Sequence, residues 1–236
     1  MSNQMMTGQG KRGAYLAFVL VVSTLGLVIS ATLLRNPVPF VAAPGERRAL
    51  VAFTYDIVCI AGMLAALFPV ACSRALNVGG AFAEAPEGLG IRATEFLGIR
   101  IVHGHHPPGL EVSKHELFLG KRSYCAACYG LLIGAVLSLA TISTFAASGW
   151  SGWTGSWAAH LVYYGGVTAV VMGLFPTVML RVGAKARFAL AVMFVVGTGL
   201  MLLATDLLTA NLMADLFVVL LVVFLLLSRI SLSHRS

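Results

Sequence analysis

Apolar and polar positions along this chain fall into six long hydrophobic blocks joined by short polar segments, except for one long polar segment between the second and third blocks. The blocks cover about 14–34, 50–71, 126–147, 158–180, 188–203 and 212–227. They match or approach the roughly 17 to 25 residues a helix needs to cross a hydrocarbon core about 30 Å thick. Within each block the apolar residues are continuous and do not alternate, which excludes the strands of a membrane β-barrel. The pattern predicts an all-α polytopic membrane bundle of about six transmembrane helices, a single membrane domain over 1–236.

The joints carry their own signals. Pro37, Pro39, Pro44 and Gly45 crowd the segment from Arg35 to Ala49, a density that ends one helix and delays the next. Gly130 and Gly134, four residues apart in the third block, predict a close helix contact. Trp150, Trp153 and Trp157 bracket the next joint as an interfacial belt. The first block is too long for a signal-peptide core and is expected to stay as a helix.

Few polar side chains interrupt the blocks. Asp56 is expected in the second turn of its helix and Asp215 in the first turn of the last one; both positions predict contact with interfacial water and the positive helix end rather than an ion pathway. Asp206 lies in the DLLTAN stretch expected to turn the chain. Cys59 reads as a small buried hydrophobe, and His160 as an interfacial residue.

Composition agrees with a membrane protein: 58% of residues are hydrophobic and 11% charged, against roughly 25% charged in soluble domains. The net charge of +7 raises nucleic acid as a partner, but the cations form no stripe interleaved with aromatics. They sit at the ends of the blocks, so the lipid bilayer is the expected partner and nucleic acid is not. With six crossings, thirteen of the sixteen Lys and Arg residues fall on one side and only Arg35, Arg47 and Arg48 on the other. The positive-inside rule then places both termini and the long segment in the cytoplasm, and the protein in the plasma membrane.

That segment, 73–125, concentrates the chemistry. Within 103–128 lie His103, His105, His106, His115, Cys125 and Cys128, four of the six histidines and two of the four cysteines. Thiols in the cytoplasm are kept reduced, so a Cys-x-x-Cys pair there points to metal or redox work rather than a structural disulfide. The two-residue spacing lets both sulfurs reach one ion, and a helix starting at the pair adds a positive end that stabilises thiolates. HELFLGKRSYC reads as two short strands about a turn at Gly120 and Lys121, which carries His115 toward Cys125. His106, His115, Cys125 and Cys128 are the expected ligands, with His105 and His103 as alternates for the upstream position. Mixed nitrogen and sulfur ligation points to zinc first, then iron or copper. Dithiol redox chemistry without a metal is the competing reading, and a solvated histidine cluster beside an incidental cysteine pair is the third.

Cys125-Ala126-Ala127-Cys128-Tyr129-Gly130, running into an apolar helix with Gly134, resembles the central motif of a prokaryotic family of small polytopic membrane proteins of unknown function. His105-His106-Pro107, His115 and the Gly-Lys-Arg turn at 120–122 resemble its archaeal-type branch. Related sequences often place a cysteine shortly after His-His-Pro; here Pro108 and Gly109 stand there, which leaves the fourth ligand open to His103 or His105. The resemblance implies a membrane-attached His/Cys motif and brings no activity with it.

The first functional expectation is therefore an integral membrane protein with a structural or partner-presenting cytoplasmic metal site, facing a membrane or cytoplasmic protein. The alternative is a membrane metalloenzyme, with Glu111 or Glu116 as base, or a CxxC dithiol redox protein. There is no HExxH helix, serine elbow or dinucleotide fingerprint to name a reaction. Transport is disfavoured because Asp56 and a few hydroxyls are the only polar groups expected at depth.

Overall fold

The structure is a computed structural model and describes residues 2–35, 44–67, 93–96, 99–102, 116–119, 122–148, 157–179 and 182–235. Six helices dominate: α1 (Ser2–Arg35), α2 (Pro44–Leu67), α3 (Ala126–Ser148), α4 (Trp157–Met179), α5 (Ala184–Thr209) and α6 (Leu212–Arg235). All six contain a stretch long and apolar enough to cross a membrane, so the all-α polytopic bundle is the fold. Two antiparallel hairpins lie between α2 and α3: β1 (Ala93–Phe96) with β2 (Ile99–Val102), and β3 (Glu116–Leu119) with β4 (Arg122–Cys125).

The bundle is built around α5, the most enclosed helix, on which α3, α4 and α6 pack, while α2 packs on α3 and reaches α5 through Arg47 and Tyr55. Small residues make that possible where no hydrophobic effect drives one helix against another. A side chain at Gly130 would place its Cβ 2.5 Å from the Phe188 carbonyl oxygen and 2.6 Å from Ala191 Cβ; one at Gly173 would lie 2.5 Å from Phe194 Cβ. Only hydrogen fits at either place. Gly130 and Gly134 are therefore the packing pair that their spacing suggested, meeting α5 at Phe188–Ala191 and Val192–Val195 in turn.

These contacts fix the helix directions. Rising positions on α3 meet rising positions on α5, from Gly130 beside Phe188 to Ser138 beside Gly199, so the two run parallel. Gly166 meets Met201 while Gly173 meets Leu190, so α4 runs antiparallel to α5. Arg47 reaches Asp206 and Tyr55 reaches Val195, which makes α2 antiparallel too. In α6, Asp215 lies by Arg47 and Arg229 by Gly173, again antiparallel. Helix direction thus alternates as it must for successive crossings. The ends of α2 and α3 that flank the hairpins share a face with the start of α5 and the end of α6, called here the loop face.

Several boundaries differ from the hydropathy reading: α1 begins at Ser2 rather than about 14, α5 at Ala184 rather than 188, and α6 runs to Arg235 rather than about 227. α2 begins at Pro44, not Leu50, because proline in a first helical turn loses no hydrogen bond that the turn would have made. Glu46, Arg47 and Arg48 are consequently helical. α5 continues through the expected turn to Thr209 and stops at Ala210, which adopts φ 49° and donates its N–H to Asp206 O. Asn211 then starts α6, its Oδ1 accepting the Met213 N–H at 2.9 Å, the side-chain cap that replaces a missing backbone partner.

Candidate functional site

The β3–β4 hairpin delivers the cysteine pair. β4 ends at Cys125 and α3 begins at Ala126 with no residue between them. Cys125 and Ala126 are both buried, and Cys128 sits in the first turn of α3. Neither cysteine is in a disulfide, and their thiols are in hydrogen-bonding contact. The Tyr124 and Tyr129 rings pack with centroids 4.4 Å apart across the strand-to-helix junction, which ties the hairpin end to the helix start. Both sulfurs lie at the N-terminal end of α3.

Register decides what lies opposite. Glu116 is the Cα partner of Cys125, and Leu119 that of Arg122, so the two expected strands pair, while Gly120 and Lys121, where the turn was expected, lie outside the described residues. His115 itself, with His103, His105, His106 and Glu111, lies outside the described residues. Of the four expected ligands, then, Cys125 and Cys128 are together. Among the described residues no group of three or more metal-ligating side chains forms.

One arginine lies near Cys125, and a second lies near that arginine. Arg187, in the first turn of α5, is close enough to Cys125 for their charges to interact, and its Nε donates to Val182 O at 3.1 Å. Arg229, buried at the end of α6, donates to the Gly173 carbonyl oxygen and lies 4.8 Å over the Phe194 ring. Arg187 and Arg229 also sense each other's charge.

Sequence reasoning missed the second polar centre, at the opposite face. Arg47 Nη2 donates to Asp206 Oδ1 at 2.6 Å, and Arg48 Nε to Asp206 Oδ2 at 3.1 Å. Arg47, Asp206 and Asp215 are all buried. Asp215 is in the first turn of α6 as expected, but it is 0% exposed, so interfacial solvation does not describe it. A signal was available. In a chain with so few charges, two arginines and two aspartates assigned to the same side of the membrane have each other as natural partners, and Pro44-Gly45-Glu46 reads as a helix start.

Between the two ends, hydroxyls from α2, α3 and α5 converge around Val195 and Thr198. Tyr55 and Thr198 share a hydrogen bond of 2.9 Å, and Ser138 donates to Val195 O at 3.0 Å. Cys59 is buried one turn from Tyr55, as its small-hydrophobe reading implied. Asp56 lies far deeper than a second turn, twelve residues after Pro44, and is half-buried with Ser143 Oγ 3.5 Å from its Oδ2. His160 is exposed in the first turn of α4.

No family model, no curated protein and no solved structure matches this chain.

Proposed function

We propose that this integral membrane protein holds a zinc ion at its cytoplasmic face through His106, His115, Cys125 and Cys128, and that the site fastens the long segment to the bundle or presents it to a protein partner. The observation that carries the reading is the hairpin, which delivers Cys125 to the start of α3 with its thiol against that of Cys128. Two thiols in contact at a helix start supply half of a tetrahedral set, and such a site contributes its binding energy to folding. The cytoplasmic side and the plasma membrane are supported by the thirteen-to-three distribution of cations together with the alternating helix directions. We likewise place the chain in the prokaryotic His-His-Pro…Cys-Ala-x-Cys-x-Gly family on the strength of that motif.

One observation favours a second reading. Zn²⁺ with two thiolates and two neutral imidazoles is already electrically neutral, so it has no need of Arg187. A free thiolate does. In this reading Cys125 and Cys128 give up two electrons and two protons to form a disulfide, while a disulfide of a partner protein is reduced to two thiols.

Elemental analysis of the purified full chain, beside Cys125→Ser/Cys128→Ser and His115→Ala variants, separates the two. About one zinc per chain, lost in both variants, supports the metal site. Absence of metal together with reversible oxidation of the two thiols overturns it in favour of the dithiol.

A further inference from the structure

Asp206 and Asp215 face the same guanidinium from neighbouring helices and are served unequally. Arg47 and Arg48, consecutive on α2, both donate to Asp206, one to each oxygen. Asp215 is wholly buried, and among the described residues neither of its oxygens has a hydrogen-bond partner. The cation it meets is Arg47, whose Nε stands 3.8 Å from Oδ2 and also has no acceptor. Three polar atoms therefore converge without completing a bond.

The charges around Asp215 can be read element by element. α2 brings Arg47 and Arg48, and α5 brings Asp206, whose negative charge repels a second carboxylate. α1 packs against α6 through Gly26 and Leu221; the charge on its last turn, Arg35, is exposed, as are Glu46 on α2 and His160 on α4. No further buried charge reaches Asp215 among the described residues. A carboxylate held in an apolar interior without hydrogen bonds is usually neutralised by a proton. Asp215 has no such bond, and the cation nearest to it stops 3.8 Å short.

We propose that Asp215 is a proton-binding site, and that Arg47 is the part that responds when the proton leaves. Release transfers the proton from the Asp215 carboxyl to water at this face of the membrane and leaves a carboxylate. That charge draws the Arg47 Nε across the 3.8 Å gap to hydrogen-bonding distance, about 2.9 Å. Arg47 is then shared between Asp206 and Asp215. Because the three residues sit on α2, α5 and α6, one proton biases how three helices pack at the face opposite the hairpins. The inference is independent of any metal at the thiol pair.

The test is infrared spectroscopy of the full chain in lipid nanodiscs, following the carbonyl stretch of protonated carboxylic acids. Asp56→Asn serves as control, because Asp56 also has a buried oxygen without a partner among the described residues. The expected result is a carboxylic-acid band at neutral pH in the wild type and in D56N that disappears in Asp215→Asn. An amide mimics the neutral acid, so D215N should also melt within about 2 °C of the wild type. A wild type without the band, a band that survives D215N, or a D215N chain that is strongly destabilised or fails to fold would overturn the proposal. The last outcome would make Asp215 an ionised partner of Arg47.

Discussion

Asp206→Asn tests how the bundle is held together at the face opposite the hairpins. Asp206 takes two arginines, at 2.6 Å and 3.1 Å. At an effective dielectric of about 20 these separations correspond to gross attractions of about 6 and about 5 kcal/mol. Desolvation of three charged groups offsets most of that, and Arg48 keeps part of its hydration because its side chain is 19% exposed. What remains after one partner is removed is set by the cation left behind. Arg47, 3% exposed, would then have only the 3.8 Å contact with Asp215. Breaking a buried pair from one side costs about 3–5 kcal/mol. For a chain of this size that corresponds to a melting temperature lower by about 6–20 °C, read by circular dichroism of the detergent-solubilised protein. Arg47→Met in the D206N background should recover part of the loss, since it removes the stranded charge. A D206N variant melting within about 2 °C of the wild type, with no recovery in the double variant, would refute the claim that these pairs clamp α2 to α5.

Other expectations follow from the same contacts. Gly173→Leu should destabilise the bundle by more than the about 1–3 kcal/mol typical of overpacking, because its Cβ would meet Phe194 and the Leu190 carbonyl, both on α5; a melting curve checks it. Tyr55→Phe removes a hydrogen bond to Thr198, whose hydroxyl still donates to Val195 O at 2.7 Å, so the loss should stay near about 1 kcal/mol. Single cysteines introduced at Ser148 and at Lys185, in a background without native cysteines, should be labelled by an impermeant maleimide from opposite sides of a sealed vesicle; labelling from the same side would contradict the alternating helix directions. Cys125→Ser/Cys128→Ser should insert into membranes normally while losing bound zinc, measured by fractionation and elemental analysis.

What could be read from the sequence by itself was whatever depends on neighbours along the chain. Continuous apolar blocks determine six membrane helices because an isolated backbone in lipid has to satisfy its own hydrogen bonds. The HELFLGKRSYC pattern determined the β3–β4 hairpin, and with it the placement of Cys125 at the mouth of α3. Gly130 and Gly134 announced a close contact by spacing alone, though not that α5 would be the helix they meet. The four expected histidines were legible as chemistry, and they lie outside the described residues.

The tertiary structure alone decided the fate of the charges. Arg47, Arg48 and Asp206 each look like surface residues of a joint, since hydropathy treats a charge near a block end as solvated. Their burial depends on partners more than 150 positions away, and no local window contains both members of the pair. The same holds for Asp215: a first-turn acid is ordinarily stabilised by water and by the helix end. Here α2 and α5 close over it and spend both arginines on its neighbour. Hydropathy scores a residue by its own transfer energy, whereas the state of a buried carboxyl is set by which groups packing brings within a few ångströms of it.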